Sequence, residues 1–394
     1  MLFLHAARPA HQLARRRLLV PRQARYTSSS TPAGASTSAK VHCYVSRCTD
    51  PYTNLAFEDW ILRTSDPESY VLYLWRNRPT IVIGRNQNPW KECNLGMMAE
   101  RDVLLARRTS GGGAVYHDMG NTNYTVVMPR DAFTRDRCAQ MVAQALQAED
   151  IPAYVNARHD VAVDGKKISG SAFKLTSKRA FHHGTMLIDA DLGRLNGCLR
   201  SKAHDEIAAL GVDSVRSVVA NLRDYSWAID HQTFCDAVML EFSRTFGALA
   251  ADNVTVWAED DADVVALVDD ERRRIRAWKW LYGQTPRFVH SFDKVFSWGA
   301  VFARIAVYHG LVAEVSLSGS PDSGSDPFSD SDVRACFDAI ARAVADAPYE
   351  AAEIRRRLEP VRRAGPHAGD LCEWLVAKVG DAASGKHMPS GDLA

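Results

Sequence analysis

The sequence lacks any Cys-x-x-Cys pair or other zinc-ligand spacing among its eight cysteines (Cys43, Cys48, Cys93, Cys138, Cys198, Cys235, Cys336 and Cys372). That excludes the common structural zinc sites and predicts reduced, mostly buried thiols. No glycine stretch ends in Gly-Lys-Ser/Thr, and none has the spaced fingerprint of a dinucleotide fold, so neither a Walker loop nor a Rossmann site is expected. No apolar run is long enough to span a bilayer, and no membrane anchor is expected. Net charge is nearly absent, at +1. Bulk nucleic-acid binding is therefore not expected, because counterion release requires a basic surface. Acidic residues are missing altogether before Asp50.

That last absence marks out residues 1–40. They contain Arg8, Arg15, Arg16, Arg17, Arg22 and Arg25, the hydroxyl-rich run Thr27-Ser28-Ser29-Ser30-Thr31, and apolar residues from Leu2 to Val20 that suit an amphipathic helix. The pattern resembles a mitochondrial presequence and predicts work in the mitochondrial matrix. A secretory signal is disfavoured because Arg15-Arg16-Arg17 interrupts the apolar region.

The remainder reads as ordered. At 394 residues the chain exceeds what one hydrophobic core usually serves, so two domains, or a large one with a smaller appendage, are expected. Its most distinctive stretch is Arg107-Arg108-Thr109-Ser110-Gly111-Gly112-Gly113-Ala114-Val115-Tyr116-His117-Asp118-Met119-Gly120-Asn121. Three consecutive glycines are costly in regular structure, and without Cβ atoms their N–H groups can turn toward one anion. Arg107 and Arg108 offer guanidinium forks for phosphate oxygens. A glycine-rich hairpin loop with solvated arginines is the alternative.

Around it, Val41–Ser46 reads as a strand and Asn54–Leu62 as a helix capped by Thr53 or Asn54. Val71–Trp75 and Thr80–Gly84 read as two strands of a hairpin turned by Arg76-Asn77-Arg78-Pro79. Asp164-Gly165 signals a tight hairpin that carries Lys167 on its returning strand, before Ser169-Gly170-Ser171. A hairpin lysine is ordinarily a solvated edge charge. His182 and His183 enter the next strand and, with no third ligand at a recognisable spacing, suit packing and hydrogen bonding better than a metal. The stretch from Asp205 to Leu249 reads as mostly helical. Further on, Trp278 and Trp280 read as packing anchors, and Val301–Tyr308 and Leu311–Leu317 as a hairpin around His309-Gly310. A flexible loop is expected at Gly319–Asp330, followed by helices near Ser331–Ala345, Tyr349–Arg357 and Asp370–Val379.

Together, the arginine and glycine block, Leu74-Trp75-Arg76-Asn77, Ile83-Gly84-Arg85-Asn86-Gln87-Asn88-Pro89-Trp90-Lys91-Glu92, Lys167-Ile168-Ser169-Gly170-Ser171-Ala172, His182-His183-Gly184-Thr185, Ser214-Val215-Arg216-Ser217 and Tyr282-Gly283-Gln284 resemble the lipoate-protein ligase A family over roughly residues 43–380. The resemblance implies an α+β fold, with a mixed-sheet catalytic domain of the biotin-protein-ligase and class II synthetase type and a small α+β C-terminal accessory domain. The boundaries expected are a presequence at 1–40, catalytic domain at 41–258, connecting segment at 259–290, accessory domain at 291–382 and disordered tail at 383–394.

It further implies ATP-dependent conversion of lipoate to lipoyl-AMP, then transfer to a lysine of lipoyl domains. The implied acceptors are the acyltransferase subunits of 2-oxoacid dehydrogenases and the glycine-cleavage H protein. Arg108, Gly113, Ala114, Val115, Tyr116 and Asp160 would meet the nucleotide, while Ser110, Gly112, His117 and His183 would line the lipoyl site. Lys167 would serve both and hold the acyl-phosphate junction as the catalytic cation. Asp160 would also meet the Mg²⁺ that accompanies ATP, Val82 and Val115 could cover the lipoyl chain, and a monomer is expected. His159 departs from the Asn that bacterial members often have.

Two other readings remain open. One is a lipoyltransferase using preformed lipoyl-AMP or lipoyl-protein, and the other a non-catalytic adenylate-binding subunit. A biotin ligase is disfavoured because its arginine- and glycine-rich signature is absent, and an octanoyltransferase because it would depend on a catalytic cysteine.

Overall fold

A computed structural model describes residues 41–195, 197–215, 217–319, 331–363 and 367–383. The expected presequence, the 319–330 loop beyond Gly319 and the tail beyond residue 383 lie outside them. The central element is a six-stranded mixed sheet in the order Ser171–Leu175, Arg179–Leu187, Asn121–Pro129, Tyr70–Trp75, Val41–Ser46, Val254–Trp257. Val41–Ser46 runs parallel to both of its neighbours, and the other pairings are antiparallel.

Side chains alternate across a strand, so each strand supplies both faces of the sheet. Leu72, Leu74, Tyr124, Val126 and Met128 pack with Met141, Val142, Phe234 and Phe242 of the helices Arg135–Gln147 and His231–Phe246. Tyr73, Trp75 and Val127 pack on the other face with Leu55, Phe57 and Ile61 of the helix Pro51–Thr64. That helix starts earlier than expected. Asp50 caps it by accepting from the Thr53 amide, and Pro51, which has no N–H to satisfy, follows directly.

The hairpin expected over residues 71–84 does not form. Tyr70–Trp75 stays in the large sheet, while Thr80–Ile83 is the centre of a separate three-stranded sheet between Leu104–Arg107 and Val115–His117. Both segments are apolar enough to pair, and their different partners are set by long-range burial. The glycine loop connects the outer two strands of this small sheet. The Asp164-Gly165 hairpin forms as expected, with positive φ at both residues and Val161–Val163 paired with Lys166–Ser169. Residues 205–230 are mainly irregular, contrary to expectation; they contain the short strand Ile207–Ala209, and the long helix begins only at His231.

Ile207–Ala209 is the edge of a four-stranded antiparallel sheet completed by Phe288–Phe296, Gly299–Tyr308 and Leu311–Gly319. The His309-Gly310 turn lies where expected. Helices Ser331–Val344, Ala351–Leu358 and Ala368–Ala383 supply buried side chains to the same core as the sheet. All eight cysteines are free and buried.

Trp90 joins early and late parts of the chain. Fully buried, its ring lies 5.4 Å from Tyr282, 5.4 Å from Phe288 and 5.5 Å from Tyr349. Trp90→Ala should therefore cost about 3–5 kcal/mol in equilibrium denaturation; a loss below about 1 kcal/mol would show that the aromatic cluster collapses without it.

Candidate active site

The glycine loop is held from beneath by a buried cation. Arg108 donates from Nε to Ser110 Oγ (2.9 Å) and Gly111 O (3.1 Å), from Nη1 to Val82 O (3.0 Å), and from Nη2 to Gly111 O (2.6 Å) and Gly113 O (2.8 Å). Burial lowers its pKa to about 10, opposed by the Glu58 carboxylate. With two glycine carbonyls turned inward, no hydrogen bond among the described residues uses the amides of Gly111, Gly112 or Gly113. Gly112 has φ of 90°, which a side chain would strain. Gly84 packs so closely below the loop that a Cβ there would lie 2.1 Å from Gly112 O. The result is a row of uncommitted backbone donors over a positive charge, on a loop whose Gly111 and Gly112 are exposed, and it is suited to an anion.

Arg107 does something different. Expected as a second phosphate fork, it is instead 1% exposed and donates to Leu281 O (2.9 and 2.6 Å), Arg85 O (2.8 Å), Gln87 O (2.8 Å) and Thr285 Oγ1 (2.9 Å). Adjacent residues on an extended chain point to opposite sides, which is why two neighbouring arginines have unrelated partners.

Lys167 and Asp160 meet at 2.7 Å, with the lysine side chain 24% exposed. Thr185 Oγ1 accepts from the Gly170 amide at 3.1 Å, and a Cβ on Gly170 would lie 3.6 Å from Lys167 Nζ. The absent side chain leaves access to the ammonium. Residues 210–215 and 217–220 lie in this region. Lys167 N donates to Val218 O (2.9 Å), and Ser214 Oγ accepts from Ala114 N (3.0 Å) and Gln87 Nε2 (3.0 Å). Lys91 pairs with Asp213 at 2.9 Å. These residues thus contact both the glycine loop and Lys167, while Leu210, Val215 and Val218 face solvent.

His183 anchors a buried chain that the sequence reading missed in part. Its Nδ1 lies 2.8 Å from Glu58 Oε1, which also accepts from Thr125 Oγ1 at 2.6 Å, and its Nε2 lies 2.9 Å from Ser110 Oγ. Since Ser110 accepts from Arg108, its own hydrogen is free to go to His183. Glu58 sits on an apolar helix with no motif around it, so only the tertiary contact reveals it. His117 Nδ1 accepts from Asn77 Nδ2 (3.0 Å), whose Oδ1 accepts from Asn54 (3.0 Å). This leaves the His117 proton on Nε2.

The two adjacent histidines are separated by strand alternation. His183 faces the site, while His182 lies buried near Tyr124 on the opposite face. Burial lowers the pKa of His117 and His182 to about 3 and of His231 to about 4.

Val115 is half-buried, whereas Val82 and Tyr116 are buried. The Ala114 amide is already engaged by Ser214, and Arg216 lies outside the described residues. His159, at φ of 62°, pairs with Asp136 at 2.6 Å. No group of three or more His, Cys, Asp or Glu side chains suited to a metal occurs among the described residues.

A family profile for the lipoyl protein ligase A/B catalytic domain matches residues 50–243. A lipoate-protein ligase A of Psychrobacter cryohalolentis is 36% identical over 347 residues, covering 86% of this chain and 99% of the relative. The crystal structure of P. falciparum LipL1 in complex with lipoate is 25% identical, with a TM-score of 0.53 over 86% of this chain and 99% of its own. A bi-partite lipoate protein ligase from Thermoplasma acidophilum, solved in work that includes its E2 lipoyl domain, is similar in fold at 22% identity, with a TM-score of 0.50 over 62% of this chain and 96% of its own.

The buried histidines predict acid sensitivity. Each is neutral in the native state down to about pH 3 or 4, whereas the unfolded chain takes up its proton near the ordinary value of 6.5. Over that window the unfolded state holds more protons, so each histidine should remove up to about 1.4 kcal/mol of stability per pH unit as pH falls, and nothing further above pH 6.5. Denaturant titrations from pH 7 to 4 should show His182→Gln losing stability less steeply than wild type; identical slopes would rule out a neutral buried His182.

Proposed function

The chain belongs to the lipoate-protein ligase A family, and we propose that it activates lipoate with ATP and passes the lipoyl group to a lysine of lipoyl-domain proteins. In the first step a lipoate oxygen bonds to the α-phosphorus of ATP and the bond to pyrophosphate breaks. In the second the lysine amine attacks the acyl carbon, loses a proton, and AMP departs. Two anions must approach each other in the first step, so fixed cationic and N–H donors between them are the main requirement.

The observation that carries this reading is the Lys167 ammonium, held at 2.7 Å from Asp160 beside side-chain-free Gly170, with Val218 bonded to the Lys167 backbone and Ser214 to the end of the glycine loop. Asp160 positions the ammonium, which would hold the carboxylate and then the phosphate. The free amides of Gly111, Gly112 and Gly113 would receive phosphate oxygens, with Arg108 acting from below by holding the loop. Ala114, Val115 and Tyr116 continue that nucleotide wall; Ser110, His117 and His183 line the acyl side. Mg²⁺ would arrive on the triphosphate, with Asp160 the neighbouring carboxylate, and would supply charge neutralisation at the phosphates.

In this reading residues 41–258 carry the chemistry, 259–290 connect and 291–382 form the accessory part. The acceptors proposed are the acyltransferase subunits of 2-oxoacid dehydrogenases and the glycine-cleavage H protein. The Thermoplasma ligase, solved in work that includes its own lipoyl domain, supports that class of partner. The arginine-rich, acid-free composition of residues 1–40 supports work in the mitochondrial matrix.

Lipoate-dependent exchange of labelled pyrophosphate into ATP tests the proposal. Wild type should support exchange, and Lys167→Ala should lower its rate by about two to three orders of magnitude while remaining folded. Exchange unaffected by the substitution would remove Lys167 from the chemistry. Transfer from supplied lipoyl-AMP without any exchange would overturn the ligase assignment in favour of a transferase.

A further inference from the structure

Two buried side-chain atoms on the site's sheet face, Asn121 Oδ1 and Asn123 Nδ2, have no hydrogen-bond partner among the described residues. Along the strand Asn121–Pro129, alternation puts Asn121 and Asn123 on the same face as Thr125, which bonds Glu58. Asn121 Nδ2 donates to Asn123 Oδ1 at 3.0 Å, and the Asn123 Nδ2 points away from this contact. That Nδ2 has no hydrogen-bond partner among the described residues, although Asn123 is only 2% exposed.

Its surroundings connect it to the activation chemistry. Asn123 lies directly opposite Thr185 on one neighbouring strand and Trp75 on the other. Thr185 holds the Gly170 amide beside the Lys167 ammonium, and the Trp75 ring meets His117 edge-on at 5.6 Å. A chain whose carboxylate sits at Lys167 and which crosses this sheet face passes over Asn123.

A buried donor without an acceptor is destabilising, and a plain hydrocarbon cannot relieve it. A divalent sulfur can, being polarizable and a weak acceptor. We propose that Asn123 is a specificity-determining residue whose free Nδ2–H donates to a dithiolane sulfur and so favours lipoate over an eight-carbon fatty acid without sulfur. This rests on the ligase reading of the same site.

The test compares (R)-lipoate with octanoate, for wild type and Asn123→Val, in pyrophosphate exchange and in calorimetric binding. Wild type should prefer lipoate by about tenfold or more in kcat/KM, and the variant should lose most of that preference by losing lipoate while octanoate stays within about twofold. Equal use of both acids by wild type overturns the proposal. So does a parallel loss of both in the variant, which would mean that the amide holds only a structural water.

Absence of exchange with either acid in wild type would defeat the ligase reading instead, and calorimetry then decides on Asn123 alone. A lipoate preference in binding that the variant loses upholds it, and equal affinities reject it. Should circular dichroism show the variant unfolded, the wild-type comparison decides: a lipoate preference supports the proposal and none overturns it.

Discussion

Two consecutive buried guanidinium groups tie the loops of the site to the rest of the molecule. Removing such a cation from water costs several kcal/mol, and only dense hydrogen bonding can offset it. Arg107 finds its acceptors in residues 84–87 and 281–285, while Arg108 finds its own in Val82, Ser110 and the glycine loop. Trp280 Nε1 closes the arrangement on Arg107 O at 2.8 Å. The loop's carbonyls face a fixed charge and its amides are left for a ligand. Preorganisation of this kind lets backbone donors stabilise charge without reorganising during reaction.

The acyl side obeys a different constraint. Asn77, Thr125, Glu58, His117 and His183 are all buried, and each side chain has at least one hydrogen-bond partner within the group or beside it. A network of this type is stable only when its members are paired, because a low-dielectric interior magnifies an omission as much as a contact. Asn121 and Asn123, which keep Oδ1 and Nδ2 without partners, stand out against that network. The same burial keeps His117 neutral, so it presents an oriented dipole to the site and not a mobile charge.

Some features were legible because their physics is local. Gly112 at positive φ, the Asp164-Gly165 turn and the His309-Gly310 turn all sit where only permissive residues fit comfortably. The separate fates of Tyr70–Trp75 and Thr80–Ile83 were not legible. Two apolar strands joined by a short polar link are compatible with pairing to each other or with different sheets, and the choice depends on partners 48 to 56 residues away for one strand (Trp75 with Asn123, Val71 with Val127) and 24 residues away for the other (Thr80 with Leu104). The irregular course of residues 205–230 likewise follows from contacts with Lys167, Gln87 and Lys91 rather than from helix propensity.

Taken alone, the sequence determined the glycine loop, the hairpin lysine and the paired histidines, because turns and backbone access require particular residue types at neighbouring positions. It also determined the family, since several such motifs occur in one order. Tertiary structure alone decided that Lys167 meets Asp160, that Glu58 stands behind His183, and that Arg107 clasps the 281–285 segment while Arg108 supports the loop. The Glu58–His183 and Arg107–Leu281 pairings join residues whose separation along the chain carries no local signal, and strand alternation sends neighbours such as His182 and His183 to opposite faces of the same sheet.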